Sequence, residues 1–145
     1  MNLLLTFAGS FLVQYILMSL VTIYKIDSFT HTLSKLYLSL LVGFVMVMYE
    51  LLMRPWNSTN QRLLLWNSLG FAICVIMYRF QFGVNDSNFL REMIEHHSMA
   101  LFTTDNVLRH TKRSDVAALA WRINADHSAE IEQMKAVLTN IANNM

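Results

Sequence analysis

From Met1 to Tyr24 the chain carries no charged side chain. Few environments accept such a run. As a helix, residues 3 to 24 would extend about 33 Å at ~1.5 Å per residue, enough to cross the hydrocarbon core of a bilayer. A cleaved signal peptide is the competing reading. The apolar stretch begins without a basic leader and is longer than the apolar region of a signal, so a retained span is expected. Two further stretches qualify, about 36–53 and about 63–80. Arg54, Arg62 and Arg79 stand at their ends, where long basic side chains reach toward water, and Tyr37, Trp56, Trp66 and Tyr78 lie near the interfaces that amphipathic rings favour. Residues 1–82 are therefore expected to be a three-span anchor of a multi-pass integral membrane protein, with the lipid bilayer as its first partner.

The distribution of charge sets the boundary near Gly83. Residues 1–82 hold seven charged side chains and all five tyrosines, whereas residues 83–145 hold fourteen charged side chains and four of the five histidines. A net charge of +1 provides no field to gather nucleic acid, which excludes that class of partner. One proline and four glycines disfavour a turn-rich β fold, so an all-α chain is expected. The lone Cys74 reads as a buried small apolar residue. Three spans put the 25–35 loop and the C-terminal region on one side of the membrane. Lys25, Lys35 and Arg79 there, against Arg54 and Arg62 opposite, do not decide which side that is. Within the spans, Glu50 lies close enough to Arg54 to reach the interface, Met46, Met48 and Met53 read as packing, and Ser39 with Gly43 is a small-residue pair that lets helices approach.

Residues 83–145 read as a helical hairpin, with helices over about 86–111 and 114–142. Asn85-Asp86-Ser87 is a start signal and Ser114-Asp115 a second N-cap. Phe89, Ile94, Leu101 and Val107 mark the inward stripe of the first helix, together with His96 and His97. Val116, Leu119, Ala120, Ile131 and Leu138 mark that of the second, together with His127, Glu130 and Met134. A short turn at 110–113 makes the helices antiparallel, which puts His97 opposite the region of His127 and Ser128. The inward face then gathers Met93, His96, His97, His127, Glu130 and Met134 as candidate metal ligands. Thioether and imidazole suit Cu(I), while two imidazoles with a carboxylate suit Cu(II), zinc or iron, so copper is the first expectation. The alternative is a structural hairpin in which the histidines find hydrogen bonds and the methionines fill space. No nucleophile elbow, oxyanion loop or phosphate cradle is present, and nothing marks a catalytic residue.

The residues Phe89-Leu90-Arg91-Glu92-Met93-Ile94-Glu95-His96-His97-Ser98-Met99-Ala100-Leu101, followed by Leu119-Ala120 and His127-Ser128-Ala129-Glu130-Ile131-Glu132-Gln133-Met134, resemble the domain of unknown function 305 family. Its pattern is Met-Ile-Pro-His-His with a following Ala, then Gln-x-x-Glu-Ile-x-x-Met. The stretch His97 to Thr104 is similar to a membrane-anchored branch. The resemblance implies a ferritin-like helical domain, with some soluble relatives tied to copper or silver through Met and His. Met93, His96, His97, Glu130 and Met134 match the pattern. Glu95 replaces the usual Pro, a change expected to alter only the helix surface. His127 replaces Gln and adds an imidazole, and Thr103 stands where soluble metal-binding members often have Met. The apolar stripe is wider than one partner helix covers, so a homodimer through the C-terminal helices, completing a four-helix bundle, is expected. In the alternative, that pairing or docking is itself the function and no metal binds.

Overall fold

The structure, a computed structural model, describes residues 2–144. Among these the chain is all-α, without a strand. Five long helices follow one another: α1 (Leu3–Thr22), α2 (Leu33–Leu52), α3 (Ser58–Arg79), α4 (Asp86–His110) and α5 (Ser114–Asn143). The chain forms two compact units, one of Met1–Met18 with Leu33–Val84 and one of Ser19–Thr32 with Asn85–Met145.

In the first unit α2 is central and packs against both α1 and α3. Its buried positions Ser39, Gly43, Val47, Glu50 and Leu51 recur at helical spacing. The close approaches use glycine. A Cβ on Gly43 would come within 2.9 Å of the Phe7 ring, and one on Gly70 within 2.9 Å of Phe44. Phe7 and Phe44 meet edge to face with centroids 5.2 Å apart, so one aromatic pair ties three helices together. Asn67 adds an interhelical bond from Nδ2 to the Phe44 carbonyl at 3.0 Å. Glu50 is not a lone acid: the Thr6 hydroxyl and the Arg54 guanidinium both donate to it. After α3 the backbone turns through Gln81 at φ 50° and Gly83 at φ 73°. Gln81 tolerates that conformation with a tied side chain, donating to the Tyr78 carbonyl and accepting from Ser34.

Three helices, α1, α2 and α3, are long and apolar enough to cross a membrane. Many apolar side chains of α1 and α3 face outward, among them Leu4, Leu65 and Trp66.

In the second unit α4 and α5 pair as the expected hairpin. Asn85 caps α4 by accepting from the Asn88 N–H at 2.9 Å. The start of α5 differs from expectation. Arg113 occupies the cap position without a side-chain capping bond and Ser114 is already helical, while Asp115 accepts from the Val116 N–H and pairs with Arg113. The core is Ile94, Leu101 and Ile131, with Met134 and Leu138 packed against it. On α5 the withdrawn positions include Ala117, Ala120, Asn124, His127, Ile131, Met134 and Leu138, alternating steps of three and four. That stepping turns Val116 and Leu119 outward, and on α4 Phe89 is exposed as well, so these three do not line the hairpin as the apolar stripe suggested.

The segment 19–32 packs on α4. Tyr24 donates its N–H to the Ser98 hydroxyl at 2.9 Å. Thr30 donates its N–H at 2.9 Å and its hydroxyl at 2.8 Å to Oε2 of Glu95. Glu95 is therefore buried and satisfied, which corrects the expectation that it changes only the helix surface. A proline there could offer no such acceptor.

Candidate metal centre

His97 lies on the inward face of α4, four residues beyond Met93, and its Nδ1 is 2.7 Å from the Met93 carbonyl oxygen. A carbonyl only accepts, so Nδ1 carries the proton. In the neutral ring Nε2 then holds a lone pair, and it faces Oε2 of Glu130 at 3.0 Å. Two electron-rich atoms attract at that distance only when a cation stands between them. The cation is either a proton, giving imidazolium, or a metal ion.

His127 completes the group from α5. Its ring centroid lies 4.6 Å from that of His97, the antiparallel register expected from the turn at 110–113. Nδ1 of His127 is 3.8 Å from Oε2 of Glu130, beyond hydrogen-bonding reach. It is buried and has no hydrogen-bond partner. Buried nitrogens without a partner are rare, and an ion is one of the few things that satisfies them. One donor atom each from His97, His127 and Glu130 falls within 4.8 Å of the others. The donor set of two imidazoles and a carboxylate fits a borderline divalent ion.

The other expected ligands stand differently. His96 is exposed, with its ring 5.9 Å from His97 by centroids. Met134 packs on the Ile94, Leu101 and Ile131 core. Met93 reaches the site through its backbone carbonyl, which fixes the His97 tautomer. Glu130 is not inward-facing as its heptad neighbours are: half its side chain remains exposed, so the group sits at the rim of the hairpin. Thr103, at the position where the resemblance implied a thioether in soluble members, donates to the Met99 carbonyl on the exposed face of α4.

Sequence reasoning missed a polar layer one turn away. Asn124 donates Nδ2 to the Thr104 hydroxyl at 2.9 Å across the hairpin. The signal was present in the α5 stepping, where Asn124 takes an inward position next before His127. A polar residue at such a position requires a partner opposite.

The fold and this group define an all-α chain with three membrane-length helices and a helical hairpin bearing a histidine and carboxylate cluster. Residues 82–144, which hold the whole hairpin, match the family model described as Domain of unknown function (DUF305), and that match supports this domain family for the C-terminal region. The chain is also 30% identical, over 99 residues, to an uncharacterized protein of Acanthamoeba polyphaga mimivirus. The alignment covers 68% of this chain and spans 65% of the relative's length. No solved structure matches.

Proposed function

We propose that the chain is a multi-pass membrane protein that binds or handles copper on its helical hairpin, with His97, His127 and Glu130 as the core ligands. The observation that carries this reading is the lone pair of His97 Nε2 held 3.0 Å from a carboxylate oxygen, beside a buried His127 nitrogen that has no hydrogen-bond partner. Cu(II) ranks ahead of Cu(I) because the three donors are two imidazoles and a carboxylate, and Cu(II) heads the affinity order of first-row divalent ions. Met93, His96 and Met134 flank the centre. His96, exposed next to His97, is suited to the entry side. We assign the hairpin to the ferritin-like, membrane-anchored branch of its family. With α1, α2 and α3 as spans, the 23–32 loop and the hairpin share one side of the bilayer, in keeping with their packing in one unit.

The test is titration of full-length protein in mild detergent with Cu(II) against a competing chelator. One ion per chain is expected, and His97→Ala with His127→Ala should weaken binding by about tenfold or more. Unchanged affinity in that double variant rejects the centre.

A second reading draws on the same contact filled by a proton. His97 and Glu130 then form an ion pair that locks the hairpin, whose task is pairing with another copy through Val116, Leu119 and Trp121, all exposed along α5. Protein that binds no Cu(II) yet dimerises, and becomes monomeric in Trp121→Ser, establishes this reading instead.

A further inference from the structure

Gln14 stands near the middle of α1, inside the π-helical turn Val13–Met18 that widens this helix. Its side-chain amide makes no hydrogen bond to any described residue. It borders a groove of about 640 Å³ between α1 and α2, lined also by Gly9, Ser10, Val42 and Met46. Of the three glycines in the membrane-length helices, Gly43 and Gly70 are explained within the chain, each lying under a phenylalanine ring. Gly9 is not: a Cβ added there meets nothing within 4 Å. An unpartnered amide at mid-span and a notch with no internal occupant therefore occur on one face.

We propose that this groove receives α1 of a second copy of the chain, with the two Gln14 amides hydrogen-bonded to each other. The inference rests on α1 crossing the membrane and is independent of the metal centre. A primary amide both donates and accepts, so two of them satisfy each other. Copies inserted in the same sense carry Gln14 at the same depth, which brings the pair into register without further adjustment. Gly9 and Ser10 allow the backbones to approach closely, the arrangement that favours helix association in lipid. A lipid chain could fill the volume but offers the amide no hydrogen bond.

The test is energy transfer between donor- and acceptor-labelled full-length chains in phosphatidylcholine vesicles, read against protein-to-lipid ratio. Association is expected for the wild type and should fall roughly tenfold in Gln14→Leu and in Gly9→Ile. Gln14→Asn, which keeps the amide, should retain most of it, and Trp121→Ser on the hairpin should leave it unchanged. Helical content and resistance to carbonate extraction show that each variant is folded and inserted. As a check free of the amide substitution, Ser10→Cys in a Cys74→Ser background should form a copy-to-copy disulfide. A carbonate-resistant but monomeric wild type, a monomer that carries a tightly bound lipid, unchanged association in both Gln14→Leu and Gly9→Ile, or failure of the Ser10→Cys crosslink overturns the pairing alone. Wild-type protein that carbonate strips from the vesicles overturns the membrane reading beneath it.

Discussion

His97 has its two ring nitrogens committed to different tasks. Nδ1 is held by the Met93 carbonyl and Nε2 is aimed at Glu130, so the backbone of one turn sets the tautomer that the proposed centre would use. That division separates side chain from main chain at position 93. Met93→Leu keeps the carbonyl and is expected to change Cu(II) affinity by less than about threefold, whereas Glu130→Gln, which removes the carboxylate charge, should weaken it by about tenfold or more. Isothermal titration with a competing chelator measures both, and equal losses would move the thioether into the centre. Acidification acts in the same direction as ligand removal, because protons compete for the imidazole and carboxylate donors. At the start of α5 another titrating group acts by itself. The Arg113 guanidinium, with the Val116 N–H, holds the Asp115 carboxyl below the ordinary carboxylate value. A group with a lowered folded value stabilises the fold at pH above about 3.9 and loses that contribution as pH falls through the folded value. The pair is exposed, so the effect on stability is small. A carboxyl carbon NMR titration should give Asp115 a midpoint below about 3.9, and Arg113→Ala should raise it.

Elements meet through a few close contacts rather than through uniformly matched faces. In the first unit, Gly43 admits the Phe7 ring and Gly70 admits Phe44, so adding one methyl at position 43 must displace an aromatic side chain that also packs on its neighbour. Gly43→Ala is expected to cost about 1–3 kcal/mol, read as a lower melting temperature in detergent. Gly9→Ala, with open space around it, should leave the melting temperature of the monomer nearly unchanged. In the hairpin, Ile131 packs in one cluster with Ile94 and Leu101, and Ile131→Ala should cost about 2–5 kcal/mol by leaving a cavity at the only buried apolar cluster found among the described residues. Helix type and approximate extent were legible from apolar runs and start signals. The choice of inward face was not, because the apolar stripes of α4 and α5 are wider than one partner helix covers. Either Leu119 or Ala120 satisfies the periodicity, and packing selects Ala120 because its small side chain allows the helices to close.

At the scale of the whole molecule, chain order and spatial grouping diverge. Composition divides the sequence at Gly83, yet residues 19–32 pack with the hairpin through Ser98 and Glu95. Glu95→Ala should therefore speed hydrogen exchange at the Thr30 amide, and Ser98→Ala at the Tyr24 amide, while the α5 amides stay protected. Equal protection in the variants would show that the segment is held by other means. The membrane-length helices and the divergence of charge were evident from sequence, since length, apolarity and charge count are properties of the chain alone. So were the antiparallel register and the meeting of His97 with His127, because a short turn between two helices leaves one arrangement. Only tertiary structure decided the rest: that His96 stays in solvent, that Glu130 sits at the rim, that Met93 acts through its carbonyl, and that Glu95 is a buried acceptor. The reason is physical. Helical periodicity fixes a side chain's direction only to within a broad face, whereas ligation and hydrogen bonding depend on differences of an ångström that are set when the helices and the 19–32 segment pack together.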